Sequence, residues 1–194
     1  MKKPVIAIVL AALILFGVAF GLKGVAAENA RQHHLQLMKT LLPGSDSFVA
    51  EEYSGEDANI VSVQIADNGF VIETATRGYA DEIRMLIGVN LEGKVTGLVV
   101  AEAHETFGLG SKALNDHEFL AQFLNSSGSF AVATAGADAF SGATGEVVEA
   151  DETVDVDAIT GATVTSKAII RCVNSAVAYV TGADADSGAT SWGG

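Results

Sequence analysis

Three stretches of the chain share the pattern D-A-x-[ST]-G-A-T: DAFSGAT at 138–144, DAITGAT at 157–163 and DADSGAT at 184–190. Each ends on a threonine hydroxyl, and the chemistry open to that hydroxyl depends on the residues after it. Thr163 is succeeded by Val164, Thr165 and Ser166, and then by apolar residues at helical spacing to about Val180. This spacing predicts a helix that starts at the threonine. The first amides of a helix have no partners within it and carry partial positive charge, so a phosphate placed there is well held. Gly161 permits a tight turn, Ala162 keeps the mouth narrow but open, and Thr165 and Ser166 add two hydroxyls. Thr144 is followed by Glu146, Glu149 and Asp151, whose carboxylates repel a phosphate. Thr190 lies in a small, acidic, glycine-rich stretch that reads as a tail. A turn followed by an ordinary helix cap accounts for the same letters, so on residue types alone both readings of Thr163 stand.

The elements that must position this hydroxyl are partly written in the periodicity. NIVSVQIA (59–66), the turn DNG and FVIETATRG (70–78) alternate as a hairpin does. IRMLIGVNLEGKVTGLVVAEA (83–103) holds two apolar runs around NLEGKV, a second hairpin signal. In the helical segment after GLGSK, Leu114, Phe119, Leu120 and Phe123 are placed to face a core. In the last long helix, Ile169, Cys172, Val173, Ala176 and Val180 line one side. Residues 27–42 read as a short amphipathic helix ended by PGSDS. Residues 125–151 show little periodicity. Antiparallel pairs with helices segregated around them predict an α+β fold rather than a doubly wound parallel sheet.

Composition narrows the function classes. The formal charge is −13 and hydrophobic residues make up 49%. An acidic surface argues against nucleic acid as a partner, which requires Lys and Arg to displace counterions. The single cysteine, Cys172, makes no internal disulfide and cannot hold an iron–sulfur cluster; in its apolar helical setting it reads as a small buried hydrophobe. No metal site is expected, because His33 and His34 are adjacent and point to different faces. GLG lacks the remaining glycines of a dinucleotide fingerprint.

Much of the apolar excess sits in VIAIVLAALILFGVAFGL (5–22), 18 residues without a charge. As a helix they span roughly 27 Å, near the thickness of a bilayer core. A cleaved signal peptide competes with an uncleaved anchor, and the length of the run and Lys23 favour the anchor. Lys2 and Lys3 put residues 1–4 in the cytoplasm and the rest outside. The expected organisation is a membrane helix over 5–22, a juxtamembrane helix and turn over 23–44, a main domain over 45–182 and a flexible tail over 183–194.

Two motifs carry a resemblance. DAITGATVTSKAI (157–169) resembles the flavinylation motif of the FMN-binding domain family, in which a flavin transferase attaches FMN to threonine through a phosphoester. The resemblance puts the link on Thr163. Its hydroxyl residue two places later is met by Thr165 and fails at Glu146 and Trp192, whereas an acid six places earlier, here Asp157, is common to all three copies. Residues 78–123 are similar to the G subunit of Rnf-type electron-transport complexes. AHETFGLGSK (103–112) stands where that family has H-x-E-T-P-G-L-G, with Phe107 in place of the usual proline, which leaves the loop less rigid. LLPGSDSF (41–48) and one N-terminal anchor fit as well. The C subunit of the Na+-pumping NADH:quinone reductase shares the flavin motif but is usually longer.

The resemblance implies that the ETFGLG loop packs near the flavin together with the ITGAT turn. The implied FMN contacts are Thr160, Gly161, Ala162, Thr163, Thr165 and Ser166 on one side. On the other are Glu105, Thr106, Gly108, Leu109 and Gly110. Lys112 either meets the phosphate or is solvated; His104 and His117 are assigned no proton transfer, and no residue is assigned as catalytic. The implied function is electron relay through one covalent FMN within a membrane ferredoxin:NAD+ oxidoreductase that pumps ions. The implied partners are the other subunits of that complex and a flavin transferase. The alternatives are a stand-alone anchored flavoprotein reductase outside the cytoplasm, or an acidic ligand-binding module without flavin.

Overall fold

The structure, a computed structural model, describes residues 28–29, 31–105, 108, 110–133 and 153–182. The apolar run 5–22, the tail 183–194, the Thr144 and Thr190 copies, Thr106, Phe107 and Leu109 lie outside the described residues. Among the described residues no helix is long and apolar enough to cross a membrane. The chain divides into two units, 1–38 and 39–194. In the first, the described residues are mostly helical; they belong to helix α1 (31–41).

The second unit is built on a five-stranded antiparallel sheet in simple sequence order: β1 (Val49–Glu51), β2 (Ile60–Ala66), β3 (Gly69–Arg77), β4 (Glu82–Asn90) and β5 (Val95–Ala103). Both predicted hairpins form. β2 and β3 turn at Ala66↔Gly69, and β4 and β5 close around the Asn90–Lys94 turn, where the Asn90 side chain accepts from the amides of Glu92 and Lys94. Alternation holds in β3 from Ile72 through Thr74 to Thr76, with Val71 buried as well, and it is lost in β4, where Met85 to Val89 are all buried. Such a continuous run is the mark of a strand covered on both faces.

The helical segment after the sheet is two helices, not one: α2 (Gly110–Asn115) and α3 (His117–Ala121). Asp116 breaks the segment because its extended backbone makes it an N-cap, and its carboxylate accepts from the amides of Glu118 and Phe119. Phe119 and Phe123 are buried, as their spacing predicts, and join Phe130 in a chain of edge-to-face rings with centroids 5.5 and 5.2 Å apart.

A second sheet was not legible in the periodicity. β6 (Ser129–Val132) and β7 (Thr153–Val156) pair in parallel. Helix α4 (Thr163–Thr181) lies between the two sheets, packing on β3, β4 and β6. Ile169, Cys172, Val173 and Ala176 are buried there, as the helical phase predicts. Two side-chain amides hold β6 and the end of β7 as strands would. Asn174 accepts from the Phe130 amide at 2.8 Å and donates to its carbonyl at 2.9 Å. Gln122 does the same for Asp157, at 2.8 and 3.3 Å. Each satisfies backbone groups that would otherwise be stranded beside a core.

At the far end of α4, Tyr179 packs edge-to-face on Phe70 and Tyr53 and donates its hydroxyl to Glu51 at 2.6 Å. Burial, and then the Glu51 carboxylate, push its pKa up to about 12. A phenol whose folded pKa is raised keeps its proton longer in the folded than in the unfolded chain. Its stabilising contribution is therefore complete below pH ~10 and is lost as pH rises through about 12. In an alkaline titration of phenolate absorbance, the last of the three tyrosines to ionise is expected to be Tyr179, and Tyr179→Phe removes that step. A titration of Tyr179→Phe that retains the late step assigns it elsewhere.

Candidate functional site

The turn over 157–163 brings the chain from β7 to the mouth of α4. Gln122 fixes its start at Asp157. Gly161 takes φ +82°, the left-handed region that favours glycine. The Ala162 amide donates to the Ile159 carbonyl at 2.9 Å, closing the turn, and the Ser166 amide donates to the Ala162 carbonyl at 2.9 Å, opening the helix. The N-cap is Ala162, no side chain caps the helix, and its first turn holds no acid. A 19-residue helix thus begins with no acidic residue of its own in the first turn to offset its positive end.

The four hydroxyls of the motif are in two different situations. Thr160 and Thr163 are exposed. Thr165 and Ser166 are buried, because they share the helix face of Ile169, four and three residues on. Ser166 Oγ accepts from the Ile159 amide at 3.2 Å, tying the helix back to the turn. Thr165 Oγ1 donates to Glu105 Oε2 at 3.2 Å. Thr165 and Ser166 thus bond within the frame of the turn, and Thr163 stands exposed beside them.

Glu105 joins three segments. Oε1 accepts from the Ala80 amide at 3.2 Å, at the tip of the β3–β4 hairpin, while Oε2 receives Thr165. The carboxylate is seated against Gly78 and Gly110, where a side chain at either position would collide with its oxygens. Of the predicted loop residues, then, Glu105 is placed beside the α4 mouth, and Gly110 gives it room. Gly108 is exposed, with its amide donating to Ser111 Oγ at 3.1 Å. Lys112, His104 and His117 are exposed. Among the described residues no group of His, Cys, Asp and Glu could hold a metal ion.

The frame continues under the helix. Thr76 Oγ1 donates to the Ala168 carbonyl at 3.0 Å and lies 3.3 Å from Cys172 Sγ, and Arg171 donates to the Arg77 carbonyl at 3.0 Å. Burial pushes the Cys172 thiol up, which fits a packing role and not a reactive one. Sequence reasoning missed Ala80, Gln122 and Asn174 as supports; Tyr79, at the hairpin tip beside Ala80, was missed as well.

The FMN-binding domain profile matches residues 78–178, from the hairpin tip to the last turns of α4. The chain is 28% identical over 185 residues to the G subunit of the proton-translocating ferredoxin:NAD(+) oxidoreductase complex of Clostridium ljungdahlii, covering 93% of this chain and 89% of that protein. It is 32% identical over 113 residues to the G subunit of the Na(+)-translocating ferredoxin:NAD(+) oxidoreductase complex of Acetobacterium woodii, covering 56% of this chain and 47% of that protein. Here the aligned part is about half of the relative's length. The crystal structure of Shewanella oneidensis NqrC superposes with a TM-score of 0.44 at 19% identity, over 74% of this chain and 73% of that one.

Proposed function

This chain belongs to the FMN-binding domain family, and from that membership we propose that it holds one FMN, esterified through its phosphate to Thr163 Oγ1, and relays electrons within a membrane ferredoxin:NAD+ oxidoreductase complex coupled to ion translocation. The observation that carries the attachment point is the contrast at the α4 mouth. Thr163 is exposed before an uncapped helix end, while Thr165 and Ser166 are buried and engaged. The residues present fit a phosphomonoester: open helix amides, no carboxylate in the first turn, and a left-handed glycine that lets the turn pass close by. The relay role and the complex are supported by the two relatives from ferredoxin:NAD(+) oxidoreductase complexes.

When bound, FMN supplies the electron-transfer chemistry. The chain's part is to hold and orient it. In maturation a flavin transferase would use a flavin dinucleotide as donor: the pyrophosphate P–O bond breaks, a P–O bond forms at Thr163 Oγ1, and the departing nucleoside monophosphate takes up the hydroxyl proton. The link makes cofactor return intramolecular, at an effective concentration on the order of millimolar. That retention matters for a domain held outside the cytoplasm by the 5–22 segment, which has no ready supply of replacement FMN. Glu105, Thr165 and Ser166 keep the helix mouth and its neighbouring loop in register, and the other subunits of the complex donate and accept the electrons.

The test is the intact mass of native protein with peptide mapping. The expected result is one FMN adduct on the peptide containing Thr163. A mass equal to that of the amino acids alone, from cells containing a flavin transferase, overturns the proposal.

A further inference from the structure

Six large hydrophobic side chains are exposed among the described residues, and two of them, Tyr79 and Val164, each precede a residue bonded to the Glu105 carboxylate. Tyr79, 65% exposed, sits at the tip of the β3–β4 hairpin, in the turn closed by the Gly78 amide and the Asp81 carbonyl at 2.8 Å. Val164, 49% exposed, is the second residue of α4. Glu105 accepts from the residue after each of them, Ala80 and Thr165, at 3.2 Å in both cases. The links Tyr79–Ala80–Glu105–Thr165–Val164 are covalent bonds or hydrogen bonds, so the Cα atoms of Tyr79 and Val164 stand no more than about 17 Å from one another. Thr163 is the next residue along.

Exposure of a tyrosine at a hairpin tip is common. This one differs because a part-buried carboxylate, seated against two glycines, fixes the tip to the helix end where the phosphate would be held. The site otherwise offers a phosphate position and hydroxyls, which suit only the polar end of FMN; a tricyclic ring needs apolar surface. Among the described residues, Tyr79 and Val164 are the exposed large apolar side chains whose chain neighbours Glu105 bonds.

Resting on the attachment proposed above, we infer that Tyr79 and Val164 are the ring contacts of the tethered flavin, Tyr79 stacking on the isoalloxazine and Val164 packing beside it, with Glu105 as the positioning residue that holds the two walls in place. Stacking against a phenol quenches flavin emission. The experiment compares flavinylated wild type, Tyr79→Leu, Tyr79→Phe and the distant control Leu91→Ala, each checked by intact mass for one FMN. Emission per bound flavin is expected to rise about fivefold in Tyr79→Leu, the ratio of stacked to open populations that about 1 kcal/mol of ring stacking sets. Tyr79→Phe, which keeps the stacking surface but loses the oxidisable phenol, is expected to brighten the flavin as Tyr79→Leu does, whereas Leu91→Ala stays close to wild type. Val164→Asp, which keeps the helix but charges the second wall, is expected to brighten the flavin as well.

Tyr79→Leu with one FMN and unchanged emission overturns the ring contact while leaving the Thr163 link intact. Loss of the adduct in Tyr79→Leu assigns Tyr79 to transferase recognition and overturns it equally. Wild type without an FMN adduct overturns the attachment itself, and the ring contact with it.

Discussion

Thr163→Ala is expected to yield protein of unmodified mass with no flavin fluorescence in a denaturing gel, even when a flavin transferase is co-expressed. No other hydroxyl replaces it. Thr165 and Ser166 are buried and bonded to Glu105 and Ile159, so a transferase cannot reach them without opening the helix. Thr144→Ala and Thr190→Ala are expected to keep a full complement of flavin. Thr144 is followed by three acids within seven residues, and Thr190 has Trp192 where the motif calls for a hydroxyl residue. Thr163→Ser keeps a hydroxyl in the same place and separates loss of the nucleophile from loss of the turn. Fluorescence that persists on Thr163→Ala, or an adduct mapped to Thr160, places the link elsewhere.

Asn174→Ala is expected to be the most damaging single change to stability. The side chain is 7% exposed and satisfies both polar groups of Phe130, itself fully buried. Truncation leaves a buried amide and a buried carbonyl without partners, each costing about 1–3 kcal/mol, and together about 2–6 kcal/mol. For a domain of this size that lowers the melting temperature by about 10 °C. The cost should appear as a lower denaturation midpoint with an unchanged denaturant slope. Asn174→Asp keeps the acceptor for the Phe130 amide but loses the donor and buries a charge, so it gives no rescue. A melting temperature within a few degrees of wild type shows that β6 does not depend on this side chain.

Much of the scaffold was written in the sequence because its determinants are local. β2 and β3 announce themselves by alternation around an Asn-Gly turn, β4 and β5 by two apolar runs around a Glu-Gly turn, and α4 by residues at helical spacing. The parallel pair of β6 and β7 was not visible. Each strand has four residues, the connection between them is long, and half of what holds them is supplied by side-chain amides of Gln122 and Asn174 from other elements. The break at Asp116 was recognisable in principle, since an aspartate before a short apolar run is an N-cap signal. The site was legible in part. The run GATVTS marks a hydroxyl at a helix start, but which hydroxyls are free is decided by helix phase. Thr165 and Ser166 stand four and three residues before buried Ile169, a count that places them inward. Glu105 gave no local sign of its role, because Ala80 and Thr165 lie 25 and 60 residues away in the chain.

The burial of Thr165 and Ser166 has a consequence for regioselectivity. Four alcohols lie within seven residues, and an enzyme acting on the unfolded segment would have to choose among them by its own contacts. In the folded domain two are already withdrawn, and the choice narrows to Thr160 and Thr163, of which only the second stands at the open helix end. Much of the discrimination is thereby made by the substrate. On the attachment proposed above, a short peptide bearing DAITGATVTS is expected to be a poorer acceptor than the folded domain, as it would be if the domain folds first and is modified afterwards.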